Sequence, residues 1–339
     1  MSKESLMPEK IVDVHSHIYP ELYMEYMTGR TSAPYIREVD GERRFVIFPG
    51  ESGRPMDATY WDIVEKLNFM DKFGIDQTIL SLGNPWLDPI SGPESVPLAQ
   101  ELNDYFGSLY GATDGRILGM GCLPSSSVAD SVAAVHYIAS KPDLRGVIVG
   151  SQICGAQLDH PSLEPLWQAL SDTELPVLLH PHYGVGLELM AGFGHVLPLS
   201  LAFTFETTTA LTRLVLSGVV KRMPGLKIIG SHGGGTLPFL AGRIDACWRP
   251  DEVARQISPD RPSEMMRQLY LDALVYDPRS LKTIGDLVGP DHMAFGTDHP
   301  FSIADPIENL NAIRQSFSEA DVQAILSDTA TRLFGLVDV

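Results

Sequence analysis

Apolar residues recur along the chain in eight short runs rich in β-branched residues, and longer segments with helical spacing separate them. Several runs are almost continuously apolar, as expected for parallel strands that are covered on both faces. The runs span residues 11–15, 77–83, 116–124, 144–151, 176–182, 227–234, 268–274 and 292–298. Strands that alternate with helices in this way predict an α/β fold, and eight such units predict a (β/α)8 TIM barrel.

Two of the intervening segments show helical periodicity. Their apolar positions recur at the i, i+1, i+4, i+7 spacing of one buried stripe or close to it. In the second segment, Ser318 precedes Asp321 by three residues, an approximate capping pattern for a helix N-terminus. We expect the apolar positions to face the core, namely Ile63, Val64, Leu67 and Met70 in the first helix and Val322, Ile325 and Leu326 in the second.

The first crossover is unusually long, since residues 18–62 separate the first strand from the next helix. Connections of this length are uncommon unless they are functional. The segment contains Asp40 and Gly41 between two β-rich halves, which is a hairpin signal. We therefore predict a β-hairpin-containing insertion, residues 18–62, that folds over the mouth of the barrel.

Length and composition agree with one soluble globular domain over residues 1–339. The chain is 44% hydrophobic and 20% charged, and no stretch approaches the roughly 18 apolar residues of a membrane span. The N-terminus shows no secretory signal, so we expect a cytoplasmic protein without membrane attachment. Three scattered cysteines, Cys122, Cys154 and Cys247, suit reduced thiols rather than disulfides. A net charge of −18 argues against nucleic acid as a partner.

Histidines and one aspartate recur where the predicted strands end. The first run gives His15 and His17, which share one face because side chains two apart in a strand project the same way. Later runs end in His180, with His182 as a second candidate, in His232 and in Asp298. Unpaired imidazoles and a carboxylate are costly in a core, and a divalent metal compensates for them. The set matches the nitrogen and oxygen ligands of zinc or a similar ion.

A lone strand histidine is more often an ordinary structural residue, and a two-histidine pair alone is weak evidence for a metal. It is the ordered set on several strand ends that favours a metal site. The remaining histidines outside this set are interpreted as ordinary structural residues: His136, His160, His195 and His292.

These residues carry a resemblance to a known family. The segments "VDVHSH", "LLHPH", "IIGSHGGG" and "FGTDHPF" match, in order and over nearly the whole chain, the amidohydrolase superfamily, closest to the decarboxylases related to aminocarboxymuconate semialdehyde decarboxylase. The segments "GNPWLDP", "HPHYG", "GHVLPLSLAF" and "GGTLPFLAGRI" are especially similar to fungal isoorotate (uracil-5-carboxylate) decarboxylases. The fourth strand offers no lysine to bridge a second metal, so a mononuclear site is expected.

The resemblance implies roles for particular residues. It implies a single divalent ion, Zn²⁺ first and Mn²⁺ second, with His15, His17, His180 and Asp298 as ligands. Asp298 is also the implied proton donor, with His232 as a polarising or proton-handling group. This role conflicts with the usual lowering of a carboxyl pKa by a metal. Asp272 is either an orienting partner of a ligand histidine or, more simply, a structural hydrogen-bond acceptor.

A flat anionic substrate needs a cation and aromatic faces. Arg54, in the insertion, is suited to a bidentate contact with a substrate carboxylate or with ring carbonyls. Asn84 can both donate and accept hydrogen bonds, which suits the N–H and C=O edge of a pyrimidine ring. Position alone favours a solvated loop arginine and a turn asparagine, and the resemblance reverses this for Arg54. Phe203 and Phe301 are implied stacking residues, with an ordinary core position as the alternative for either. Phe301 is the stronger candidate because it lies three residues after Asp298. The implied role of Arg243 is in a neighbouring subunit's site, as part of a homodimer; the alternative is a structural arginine.

The implied activity is metal-dependent nonoxidative decarboxylation of a small-molecule carboxylate, with isoorotate to uracil and CO₂ as the leading reaction. A salicylate-type acid such as 6-methylsalicylate is the next candidate. Two other readings use the same ligands: a hydrolase of a cyclic amide or lactone, with a metal-bound water as the nucleophile, and a noncatalytic metal-stabilised binding protein.

Overall fold

The computed structural model describes residues 10–336. Thirteen strands occur in this range: β1 (Val12–Ile18), β2 (Tyr35–Val39), β3 (Glu42–Val46), β4 (Arg54–Met56), β5 (Gln77–Leu82), β6 (Ile117–Cys122), β7 (Leu144–Val149), β8 (Gln152–Ile153), β9 (Ala156–Gln157), β10 (Val177–Leu179), β11 (Ile228–Gly230), β12 (Tyr270–Asp272) and β13 (Met293–Ala294).

Fourteen α-helices occur in the same range: α1 (Glu21–Thr28), α2 (Ile63–Phe73), α3 (Ser95–Ala112), α4 (Val128–Ala139), α5 (Glu164–Thr173), α6 (Phe203–Leu216), α7 (Val219–Arg222), α8 (Leu237–Trp248), α9 (Glu252–Ile257), α10 (Pro262–Met266), α11 (Pro278–Val288), α12 (Pro306–Ser316), α13 (Glu319–Gln323) and α14 (Thr329–Phe334). Short 3₁₀ or π segments supplement them. None of the helices in residues 10–336 is both long enough and apolar enough to span a bilayer.

Eight strands form the central parallel sheet in the order β1-β5-β6-β7-β10-β11-β12-β13. Each of the eight apolar runs overlaps one of these strands, so the predicted (β/α)8 barrel is confirmed. The sheet closes where the chain after β13 meets β1, through a parallel bridge between Ser16 and His299 and a hydrogen bond from Val14 N to Phe295 O of 3.0 Å. Closure brings the ends of the first and last strands together, although nearly three hundred residues separate them.

The insertion contains the predicted hairpin. Strands β2 and β3 pair antiparallel through a two-residue turn at Asp40 and Gly41, whose φ angles are 53° and 81°. Both residues are left-handed, as a type I′ turn requires, and Asp and Gly are among the residues that tolerate this. The structure adds two elements that the sequence analysis did not anticipate, helix α1 and strand β4, which pairs with β3.

The helical predictions are confirmed with one correction. Helix α13 is capped by Ser318, whose side chain accepts a hydrogen bond from Asp321 N, and the three predicted apolar positions that follow are buried. In α2, however, Val64 is 60% exposed, whereas Lys66 is fully buried. The predicted stripe was wrong at Val64: the buried face of the helix includes Lys66, whose polar partners are Ser16 and His299, and a count of apolar residues does not register them.

Candidate active site

Three imidazoles and one carboxylate converge where the barrel strands end. His15 and His17 lie on β1, His180 follows β10, and Asp298 lies beyond β13 in a left-handed conformation, with φ of 59°. One ligand atom from each of the four lies within 4.8 Å of the others, and all four residues are buried. The structure therefore brings together the four side chains that the sequence analysis selected as ligands.

The nitrogen and oxygen atoms that face one another have no hydrogen-bond partner in the described structure, although they are buried. These atoms are His15 Nε2, His17 Nε2, His180 Nε2 and Asp298 Oδ1. Asp298 Oδ1 lies 3.4 Å from His15 Nε2, 3.3 Å from His17 Nε2 and 4.0 Å from His180 Nε2. Tetrahedral ligands with bonds of about 2.0–2.1 Å would stand about 3.4 Å apart. The donor set thus suits a divalent metal ion.

The other nitrogen of each imidazole is held by a partner. His15 Nδ1 lies 2.6 Å from Asp272 Oδ2, and His180 Nδ1 lies 2.8 Å from the carbonyl oxygen of Pro181. His17 Nδ1 lies 2.8 Å from Ser81 Oγ. The carboxylate and the carbonyl are acceptors, so in His15 and His180 the Nδ1 atom carries a proton. Hydrogen bonds of this kind orient metal-ligating histidines and leave Nε2 available as the ligand atom.

Asp272 orients more than the ring of His15. Its two oxygens also accept hydrogen bonds from the backbone N–H groups of His232 and Gly233, at 2.9 and 2.7 Å. Between its two proposed functions, the structure therefore favours the orienting role over a plain structural one. The same carboxylate fixes the ring of His15 and the backbone of His232, which itself adopts a left-handed conformation with φ of 54°.

The protonation states follow from burial and from these contacts. Burial lowers the pKa of His17 to about 4 and, with its neighbouring imidazoles, lowers that of His180 well below its usual value. Both rings are therefore neutral. In His15 burial also opposes the charge, but the hydrogen bond to Asp272 and the nearby carboxylate of Asp298 outweigh it and raise the pKa to about 10. Burial alone would raise the pKa of Asp298, yet the imidazoles of His15, His17 and His232 beside it hold it well below its usual range.

The two oxygens of Asp298 face different neighbours. Oδ1 points to the three Nε2 atoms described above, whereas Oδ2 lies 3.6 Å from His232 Nε2. One carboxylate therefore has one oxygen in the metal-suited cluster and one beside an imidazole that is outside it. This arrangement separates a ligand atom from an atom that can exchange a proton.

A cavity of about 310 Å³ opens beside this cluster. Side chains from the insertion form one wall, and Asn84, Phe203 and Phe301 line the remainder together with His180, His232 and Asp298. Arg54 is the one arginine or lysine among the lining residues in the described part of the chain. Its guanidinium carbon lies 4.5 Å above the centroid of Phe301. The structure thus brings four of the five predicted substrate-binding residues to one cavity.

Arg243 is the exception. It lies on α8 and lines a separate surface groove with Leu240, Cys247 and Trp248. Within one chain it does not reach the cavity. His182 is also outside the four-residue cluster, and its ring packs against Phe48, Trp86 and Tyr183.

The sequence analysis missed several residues of the site. His195, interpreted there as an ordinary structural histidine, is exposed and lines the cavity. Tyr19 is buried, and its hydroxyl donates to the Asn84 carbonyl oxygen at 2.9 Å and lies 3.5 Å from Arg54 Nη2. The signal for Tyr19 was present, because it follows His17 by two residues and so shares its side of the chain.

Comparisons with known proteins agree with this geometry. The family model described as amidohydrolase matches residues 12–336. The 2-amino-3-carboxymuconate-6-semialdehyde decarboxylase of Dictyostelium discoideum is 28% identical, over 96% of this chain and 91% of that protein. The 6-methylsalicylic acid decarboxylase of Penicillium expansum is 24% identical, over 95% of each. The crystal structure of IDCase from Metarhizium anisopliae, in apo form, has a TM-score of 0.91 and 33% identity over 97% of each chain.

Proposed function

Because the chain belongs to the amidohydrolase family, we propose that it is a metal-dependent decarboxylase of a single-ring carboxylic acid, with isoorotate as its leading substrate. The observation that carries the proposal is the buried cluster of three histidines and Asp298, which opens directly onto a cavity with one arginine. IDCase, isoorotate decarboxylase, is one relative of known structure and is 33% identical to this chain. A salicylate-type acid is the second candidate, favoured by the similarity to the 6-methylsalicylic acid decarboxylase.

We assign one divalent ion to His15, His17, His180 and Asp298, with Zn²⁺ first and Mn²⁺ second. When bound, the ion supplies Lewis acidity toward the substrate carboxylate and an adjacent ring oxygen, which orients the group and withdraws charge. The chain holds its ligands rigidly, since Asp272, Ser81 and the Pro181 carbonyl fix the imidazoles.

Proton transfer to the ring carbon is assigned to the pair Asp298 and His232. Asp298 is ionised before substrate binds, since the imidazoles hold its pKa low. It therefore has to gain a proton at Oδ2, the oxygen that faces His232 Nε2 at 3.6 Å. In this scheme His232 holds the proton, Asp298 passes it to the ring carbon, and the carbon–carbon bond to the carboxylate breaks to release CO₂.

Substrate recognition is assigned to Arg54, Asn84, Phe203 and Phe301. Arg54 lies over the Phe301 ring and close to the Tyr19 hydroxyl, so its planar guanidinium is already oriented before a ligand arrives. Asn84 is 3% exposed and Tyr19 fixes its backbone carbonyl. The cavity volume of about 310 Å³ suits one ring rather than a larger ligand.

A substrate panel tests the proposal. Purified protein loaded with Zn²⁺ or Mn²⁺ is incubated with isoorotate, 6-methylsalicylate and other hydroxybenzoates, while loss of the carboxylated chromophore and CO₂ release are followed. We expect isoorotate to react fastest. Consumption of water without CO₂ would instead indicate a hydrolase, and the absence of any reaction with metal present would contradict the substrate assignment.

Replacing Arg54 with alanine should weaken substrate binding more than it slows the chemistry. The substitution removes the one arginine or lysine among the described residues of the cavity wall, and a bidentate contact to a carboxylate or ring carbonyl contributes about 1.5–3 kcal/mol. We expect KM to rise about tenfold or more and kcat to fall to the extent that orientation is lost. Arg37→Ala is the matched control, because Arg37 is an exposed arginine of the same insertion. Equal kinetics in both variants would show that Arg54 does not contact the substrate.

We further propose that the protein acts as a homodimer in which Arg243 approaches the partner's cavity. The support is that Arg243 lies outside its own chain's cavity, in a groove with the half-buried apolar side chains of Leu240 and Trp248, and that Phe239 on the same helix is 82% exposed. Light scattering at micromolar concentration should find a dimer. A protein that is monomeric and fully active would contradict the proposal.

A further inference from the structure

Lys66 is a fully buried lysine that contacts residues next to the proposed metal ligands. It lies on α2, and its Nζ atom donates a 2.7 Å hydrogen bond to Ser16 Oγ and a 3.2 Å hydrogen bond to the carbonyl oxygen of His299. It also contacts His299 Nδ1. Buried lysines are rare unless they are paired, so this position calls for an explanation beyond chain packing.

The partners of Lys66 belong to the two strand ends that carry the ligands. Ser16 lies between His15 and His17 on β1, and His299 directly follows Asp298. The ammonium group has three donors and no acceptor, and it uses them to tie one strand end to the other. It therefore spans the seam at which the barrel closes.

That seam sets the distance between the histidine pair and Asp298. Its backbone hydrogen bonds include Asp298 N to His15 O at 2.7 Å and His17 N to His299 O at 2.7 Å. The strands on either side belong to opposite ends of the chain. A shift at this seam would therefore separate the histidine nitrogens from the carboxylate oxygen, which lie only 3.3 to 3.4 Å apart.

Asp13, two residues before His15 on β1, makes further hydrogen bonds across the same seam. Buried Asp13 accepts hydrogen bonds from His15 N at 3.0 Å and from Thr297, through its backbone N–H at 3.1 Å and its hydroxyl at 2.7 Å. Its negative charge also compensates the desolvated ammonium of Lys66. Asp13 and Lys66 thus hold the seam from two sides.

We propose that Lys66 is a positioning residue for the metal centre: by tying Ser16 to His299 across the closing seam, it sets the spacing of His15 and His17 relative to Asp298. The inference rests on the proposed metal site. The contacts favour this function over general stabilisation of the fold, because within residues 10–336 every hydrogen-bond partner of Nζ belongs to Ser16 or His299, and both residues adjoin a proposed ligand.

Metal affinity tests the proposal without requiring substrate. Zn²⁺ dissociation constants are measured by competition with a chromophoric chelator for the wild type, Lys66→Met and Lys72→Met, with apoprotein melting temperatures recorded in parallel. Lys72 is the matched control, an exposed lysine on the same helix. We expect Lys66→Met to bind Zn²⁺ about tenfold more weakly, as for partners of metal ligands, and Lys72→Met to bind as the wild type does. If Lys66→Met binds Zn²⁺ with the wild-type dissociation constant, the proposal is overturned, whether or not its melting temperature has changed.

A second variant covers the case in which Lys66→Met does not fold. Ser16→Ala keeps the lysine but removes one of its acceptors at the seam, and we expect a smaller loss of Zn²⁺ affinity in the same direction. Unchanged affinity in Ser16→Ala would then overturn the proposal. A wild-type protein that binds Zn²⁺ but decarboxylates none of the acids would contradict the proposed function and leave this inference intact.

Discussion

Asp298→Asn should reduce the kcat of decarboxylation roughly a thousandfold or more. A thousandfold loss lies within the range that general acid–base groups contribute, and any loss of bound metal would add to it. The amide keeps the shape of the side chain but removes the negative charge that four imidazoles surround. It also replaces one carboxylate oxygen with an amide nitrogen, so the proposed ligand oxygen becomes neutral and the oxygen proposed to transfer the proton is lost. We expect both effects to lower kcat rather than to raise KM, because Asp298 is proposed to act in the chemical step and not in substrate binding.

The measurement compares kcat and bound metal in the same samples of wild type, Asp298→Asn and Asp286→Asn. Asp286 is an exposed aspartate on α11 and serves as the matched control. If Asp298→Asn retains one equivalent of metal and still loses activity, the loss reports on proton transfer at Oδ2. A variant that decarboxylates at even a tenth of the wild-type rate would remove Asp298 from the mechanism.

The barrel was predictable because each of its strands is covered on both faces, which leaves a recognisable apolar run in the sequence. The metal-suited cluster was predictable for a related reason. Parallel strands end at one edge, so His15, His180 and Asp298 could be placed together from their positions at the ends of runs. The hairpin turn was predictable because Asp40 and Gly41 tolerate the left-handed backbone that the turn requires.

The residues that escaped prediction depend on partners distant in the sequence. Lys66 occupies a position that helical periodicity assigns to solvent, and only Ser16 and His299, fifty and more than two hundred residues away, explain its burial. The orientation of Asp272 likewise depends on contacts with His15 and His232. His195 lies in an irregular segment without strand or helical periodicity, so nothing in its local pattern indicated the cavity.

Removing the metal should abolish turnover, and adding back one equivalent of Zn²⁺ or Mn²⁺ should restore it. The structure offers four buried donor atoms with no other hydrogen-bond partner, so a stripped site leaves them desolvated and unpaired. A bound ion also stabilises the folded state by mass action, by about 2.7 kcal/mol at a free concentration one hundred times its dissociation constant. We therefore expect both activity and melting temperature to fall on chelation and to recover together.

Measuring the two quantities together separates the proposed enzyme from a protein that only binds metal. Chelated and reconstituted samples are followed by differential scanning calorimetry and by the isoorotate assay, with His136→Asn, an exposed histidine variant, carried through the same treatment. A melting temperature that recovers with Zn²⁺ while no acid is ever turned over would indicate a structural metal site. Full activity in a protein shown to be free of metal would contradict the proposed chemistry, because the Lewis acid that polarises the carboxylate would then be dispensable. Recovery of both quantities with the same metal stoichiometry is the result that only a catalytic centre at these four residues explains.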